Sequence, residues 1–208
     1  MPSQIGLVGI GLMGENLVLN MESKGFSVSV FDIDADKVSR FIAGRAKGRQ
    51  ISGCSTWPAL VESLALPRKI MLLVPAGQAV DDIIEALAPL LSPGDILIDG
   101  GNSHFADTTR RARALEARGL LYVGSGVSGG EEGALLGPSL MPGGSAAAWH
   151  GAVPHAGWLG GSLARDQAHL SGHRCQGRWR CALLRLDRRR GLWPFRQDGS
   201  QRHRIRRH

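Results

Sequence analysis

The chain has 208 residues, 43% of them hydrophobic and 21% charged, with a formal net charge of +7. That length suffices for one well-formed core and part of a second unit. No apolar run approaches the ~20 residues that cross a bilayer, and Met1-Pro2-Ser3-Gln4 leads straight into an apolar run without the basic and apolar regions of a secretory leader. Cys54, Cys175 and Cys181 show neither metal-ligand nor disulfide spacing. A cytoplasmic protein with no metal and no membrane partner is therefore expected.

Taken in order, residues 5–8 are an apolar run that enters Gly9-Ile10-Gly11-Leu12-Met13-Gly14, and a helix is expected over 13–23, closed by Gly25. This is G-x-G-x-x-G between strand and helix. The first glycine makes the tight turn, the second lets backbone approach a pyrophosphate, and the third lets the helix pack on the strand. Residues 27–31 alternate as a second strand that ends at Asp32. Asp32 reads equally as a turn or cap residue and as an acid accepting from a ribose 2′-hydroxyl and repelling a 2′-phosphate. Asp34 is placed to cap a helix through Phe41, residues 44–53 read as a polar loop, and Ser55 as the cap of a short helix to Leu64.

Residues 69–74 form a continuous apolar run, the mark of a strand buried on both faces of a parallel sheet. A helix over 78–91 follows, then a strand over 95–99, a helix over 107–118 and a strand over 120–123. Alternating strands and helices make a doubly wound, mostly parallel α/β domain of Rossmann type, with ligands expected at the carboxyl ends of the strands. Those ends carry Val74-Pro75-Ala76-Gly77, then Asp99-Gly100-Gly101-Asn102-Ser103, and finally a glycine-rich loop over 124–133 containing Ser128, Gly129 and Gly130. Such small residues suit close backbone contact with a polyhydroxylated or phosphorylated ligand.

The net charge is not spread evenly. From Gly161 onward there are 13 Arg, no Lys or Glu and 3 Asp, a charge of +10 that leaves −3 on the residues before it. All four lysines precede residue 70, and six of seven histidines and four of five tryptophans follow Ala148. That change in residue usage marks a boundary between a dinucleotide-binding domain over 1–149 and a basic tail over 150–208.

Four stretches, LVGIGLMGENLVLN (7–20), LLVPAGQAVDD (72–82), IDGGNS (98–103) and VGSGVSGGEEGALLGPSLMPGGS (123–145), resemble the 6-phosphogluconate dehydrogenase family, in order, over about the first 150 residues. The resemblance implies oxidative decarboxylation of 6-phosphogluconate to ribulose 5-phosphate with NAD or NADP, in a family of homodimers. It implies that Gly9, Ile10, Gly11, Leu12, Met13 and Gly14 hold the pyrophosphate. Asp32, Ile33 and Asp34 would meet the adenosine ribose, and Val74, Pro75 and Ala76 would form the next cofactor loop. Asn102 would touch cofactor and substrate, and Ser128, Gly129 and Gly130 would bind substrate. NADP-using members commonly have Asn-Arg-Thr where this chain has Asp32-Ile33-Asp34, so NAD is favoured; Pro75 stands where a lysine is common.

The family's base lysine and its proton-donating glutamate lie in a stretch resembling GHFVKMVHNGIEYG, which these 208 residues do not contain; no catalytic residue is therefore assigned. Written as degenerate codons and read from the second base of each, residues 193–206 permit GHFVKMVHNGIEY. Residues 181–187 permit PCCDWI, 165–177 permit V(T/I)KPIFQAIAAKV, and 151–159 permit a second GPSLMPGGS. The tail thus reads as out-of-frame translation, irregular or disordered, and the chain as a truncated, inactive cofactor-binding fragment. Two other readings compete. One is a complete small β-hydroxyacid dehydrogenase-like reductase, disfavoured because no lysine follows Lys69 and His104 reads as a solvated loop residue. The other is weak polyanion binding by Arg202 to Arg207, with no motif for specific nucleic-acid recognition.

Overall fold

The computed structural model describes residues 1–144 and residue 148. Seven strands, β1 (Ile5–Val8), β2 (Val28–Phe31), β3 (Ile51–Gly53), β4 (Lys69–Leu72), β5 (Ile96–Asp99), β6 (Leu121–Ser128) and β7 (Ser139–Gly144), form one sheet in the order β3-β2-β1-β4-β5-β6-β7. Every pairing is parallel except β6 with β7. The helices are α1 (Leu12–Ser23), α2 (Ala35–Ala43), α3 (Trp57–Glu62), α4 (Gln78–Leu87), α5 (Phe105–Glu116) and α6 (Gly130–Leu136). This is the doubly wound architecture read from the alternation of elements.

Two apolar layers sandwich the sheet. Leu17, Val18 and Met21 of α1 and Val38 and Phe41 of α2 pack with Ile5, Leu7, Met71, Ile96 and Ile98 on one face. Leu60 of α3, Val80, Ile83 and Leu87 of α4, and Ala112 and Leu115 of α5 pack with Val8, Ile70, Leu72 and Leu97 on the other. Consecutive strand residues therefore bury in opposite layers, which is why the central strands read as unbroken apolar runs.

Three local expectations are corrected. The stretch read as a polar loop over 44–53 ends in β3, which pairs Ile51, Ser52 and Gly53 with Val28, Ser29 and Val30; as a three-residue edge strand it buries only Ile51 and leaves no periodic signal. The cap of α3 is Thr56, whose Oγ1 accepts from Ala59 N at 3.2 Å, rather than Ser55. The expected glycine-rich loop over 124–133 is instead the second half of β6 followed by the start of α6. Ser125–Ser128 extend β6 past its parallel partner, and β7 covers that extension in antiparallel register, Ser128 opposite Ser139. The boundary at 149 and the tail over 150–208 lie outside the described residues.

Candidate dinucleotide site

Because β1, β2, β4, β5 and β6 are parallel, their carboxyl ends form one rim. The chain reverses direction of progress between β1 and β4, so the crevice of a doubly wound sheet opens there.

At the end of β1, Gly9 has φ +102, and a Cβ on it would collide with the Leu73 carbonyl; a Cβ on Gly14 would collide with the Gly9 carbonyl. Both glycines are demanded by the protein's own backbone. Gly11 differs, since a Cβ there would meet nothing within 4 Å. The space over Gly11 is left open by the described residues. It also caps α1 without any side-chain hydrogen bond, so the first-turn N–H groups of a 12-residue helix face that space unclaimed by a side chain. α4 and α6 likewise start at glycines, Gly77 and Gly129, without a side-chain cap, whereas α2, α3 and α5 are capped by the side chains of Asp34, Thr56 and His104. His104 is thus a cap residue, its Nδ1 accepting from Ala106 N at 3.4 Å, and its ring lies 4.5 Å from that of Phe105.

Asp32, at the end of β2, uses both carboxylate oxygens within the chain: Oδ2 accepts from Ile10 N at 2.7 Å and Oδ1 from Asp34 N at 2.9 Å. The turn reading of this residue is realised, and the carboxylate ties the glycine turn to the end of β2. Asp34 Oδ1 accepts from Asp36 N and Lys37 N, while Lys37 Nζ lies 3.9 Å from both Asp32 and Asp34. Between the two acids Ile33 stands 87% exposed.

Across the crevice, Pro75 and Ala76 are exposed after β4, and Asn102 is exposed after β5. Beneath them lies a buried charged network that sequence reasoning missed. Arg111, 2% exposed, donates from Nε and Nη2 to the two carboxylate oxygens of Asp81 at 2.9 and 2.8 Å. Its Nη2 also donates to the Gly77 carbonyl at 2.9 Å and its Nη1 to Ser103 Oγ at 3.1 Å. Asp99, 3.5 Å from Arg111, accepts from Tyr122 Oη at 2.8 Å and from Gly101 N at 3.0 Å. The hydrogen bond from Arg111 holds the Asp81 carboxyl well below the usual carboxylate range. Burial, reinforced by the Asp99 charge, pushes the Tyr122 hydroxyl well above its ordinary value. The only sequence signal was an Arg on the inner face of a helix.

Ser128, Gly129 and Gly130 are exposed where β6 meets α6; Ser128 is four residues past the last residue of β6 paired with β5, about 13 Å along the strand beyond that pair. α6 lies against α1. Asn16 Nδ2 donates to the Glu131 carbonyl at 3.0 Å and Asn20 Nδ2 to the Leu135 carbonyl at 2.6 Å. One-turn steps on both helices make them run parallel, so Gly129 and Gly130 come to the same side of the molecule as the glycine turn. Among the described residues no cluster of His, Cys, Asp and Glu could hold a metal ion, and no helix is long and apolar enough to cross a membrane.

Residues 4–161 match the family model described as the NAD binding domain of 6-phosphogluconate dehydrogenase. The decarboxylating 6-phosphogluconate dehydrogenase of Treponema pallidum is 60% identical over 149 residues, covering 72% of this chain and 30% of that protein. The human enzyme is 57% identical over 147 residues, 71% of this chain and 30% of that protein. The chain thus spans about a third of the length of these relatives. Among solved structures, Plasmodium falciparum 6-phosphogluconate dehydrogenase, studied in its apo form and with NADP+ or 6-phosphogluconate, aligns with a TM-score of 0.69 at 37% identity, over 73% of this chain and 33% of that one. A 3-hydroxyisobutyrate dehydrogenase from Salmonella typhimurium aligns with a TM-score of 0.63 at 22% identity, over 76% of this chain and 53% of that one; it shares the fold. Glycine turn, crevice and signature segment agree with these likenesses, and the chain belongs to the 6-phosphogluconate dehydrogenase family, whose NAD-binding domain it carries.

Proposed function

We propose that this chain binds a nicotinamide dinucleotide across the crevice between β1 and β4, with NAD preferred to NADP. The observation that carries the reading is Gly11: its open face and the uncapped start of α1 form an anion cradle that no described residue fills. Gly9, Ile10, Gly11, Leu12, Met13 and Gly14 hold the pyrophosphate, Asp32, Ile33 and Asp34 the adenosine ribose, and Val74, Pro75, Ala76 and Asn102 the other half. The preference for NAD follows from charge. Asp32 and Asp34 against Lys37 sum to −1, and Ile33 offers no donor, so a 2′-phosphate finds repulsion and no guanidinium.

Within the complete enzyme of its relatives, this domain serves the oxidative decarboxylation of 6-phosphogluconate, in the cytoplasm and as a homodimer. Ser128, Gly129, Gly130 and Asn102 meet the substrate. A nicotinamide bound at the rim supplies the hydride acceptor. The residues described here orient the two ligands; the proton transfers need a lysine and a glutamate for which these 208 residues offer no matching stretch. The tail over 150–208 is proposed to be out-of-frame coding sequence without a stable fold, and the chain alone to bind cofactor without turnover.

Titration calorimetry of the 208-residue chain with NAD, NADP and ADP, alongside an assay with 6-phosphogluconate, tests this. Saturable NAD binding, weaker NADP binding and no turnover are expected. Failure to bind any of the three overturns the cofactor reading, and turnover overturns the inactivity.

A further inference from the structure

Arg111 is a buried charged group that the cofactor reading leaves unused. A guanidinium is costly to bury unless each donor is matched, and this one is matched by groups from three elements: Asp81 on α4, the Gly77 carbonyl at the cap of α4, and Ser103 in the loop after β5. Gly77 closes the loop that begins at Val74, and Ser103 follows Asn102 directly. The two loops on the far side of the crevice are therefore joined to each other through one side chain, with Asp99 fixing the second loop from below through Gly101 N. The glycine turn on the near side has its own tether, Asp32. The planar fork of arginine bonds several acceptors at fixed angles, which a lysine cannot reproduce.

We propose that Arg111 is a positioning residue that sets the 74–77 and 100–103 loops in register and thereby selects for the nicotinamide half of the dinucleotide, while Asp32 independently sets the adenosine half. The inference rests on the cofactor reading above.

The test uses the full chain as Arg111→Lys and, as a second variant on its carboxylate partner, Asp81→Asn. Hydrogen exchange is followed at the amides of 74, 76, 77 and 100–103 and at amides 9–14, and affinities are measured for NAD and for ADP, which lacks the nicotinamide half. Faster exchange confined to 74–77 and 100–103 is expected, with NAD affinity down about tenfold, the equivalent of one or two hydrogen bonds, and ADP affinity unchanged. Equal losses for NAD and ADP, or exchange that rises equally in 9–14, reduce Arg111 to a general stabiliser and overturn the inference. If the unsubstituted chain binds neither nucleotide, the cofactor reading falls, and the exchange pattern alone decides whether Arg111 sets the two loops.

Discussion

The carboxylate of Asp32 accepts the amide N–H of Ile10 at 2.7 Å, joining the end of β2 to the middle of the glycine turn. The residue that sequence reasoning offers to the ribose is thus also what shapes the neighbouring turn. Asp32→Ala leaves Ile10 N and Asp34 N without this acceptor, at a cost of about 1–3 kcal/mol for each amide kept from water. Urea denaturation should show the loss, and NAD affinity should fall with it because the turn is no longer held.

Exchanging Ile33 for Arg and Asp34 for Thr should reverse the nucleotide preference. Thr remains an acceptable cap for α2, so the fold tolerates the change, while the exposed Ile33 position receives a guanidinium and one carboxylate is lost. Calorimetry should record NADP affinity rising about tenfold or more, equivalent to one charge-assisted contact. Unchanged NADP binding would place the 2′ position elsewhere.

The three glycines of the turn are expected to behave differently. Gly14→Ala drives a methyl group into the Gly9 carbonyl, a backbone atom that cannot swing aside, and should cost at least about 1–3 kcal/mol. Gly11→Ala meets no atom of the described residues within 4 Å, so its stability should stay within about 0.5 kcal/mol of the parent. Nucleotide affinity should nonetheless drop sharply. A Gly11→Ala variant that keeps full affinity contradicts the pyrophosphate position.

Asn16 and Asn20 hold α6 against α1 across a sequence separation of 115 residues. The Oδ1 of Asn20 is buried without a hydrogen-bond partner among the described residues, so its amide is retained for the single bond to Leu135. Asn20→Ala should destabilise by about 1 kcal/mol, because the bond to the Leu135 carbonyl is lost while the unpaired buried Oδ1 is removed with it. Amide protection should be lost first in α6, and protection retained there would assign the packing to apolar contact alone.

The pH dependence has a definite sign at Tyr122. Its folded value is raised above the unfolded value of about 10, so its contribution is fully present below pH ~10 and is lost as pH rises beyond that toward the folded value. Alkaline denaturation should therefore steepen above pH ~10, and Tyr122→Phe should flatten that limb while losing the bond to Asp99. Asp81 has the opposite sign. Its folded value is depressed, so its contribution is present above pH ~4 and is lost as pH falls below that; Asp81→Asn should remove this part of the acid sensitivity.

Much of the domain is legible in the sequence. The apolar runs of β1, β4 and β5, the Asp34 cap and the glycine spacing are local signals, because strand period, helix caps and turn glycines depend on residues a few positions apart. What escaped was non-local or short. β3 is three residues long at a sheet edge. The glycines at 124 and 126 concealed the extension of β6 over 125–128, which is paired by β7 folding back on it.

The sequence by itself determined a doubly wound sheet, the glycine turn at its first crossover and the family signature, since each is written in periodicity or in contiguous residues. Only the tertiary structure decided that Asp32 turns its carboxylate into the glycine turn. It likewise decided that Arg111 joins two rim loops and that α6 lies along α1. Those relationships link residues 22 to 115 positions apart, apart from the eight-residue step from Ser103 to Arg111. The physical reason is that hydrogen bonds between such distant groups form only after the chain has been brought together by burial of the two apolar layers.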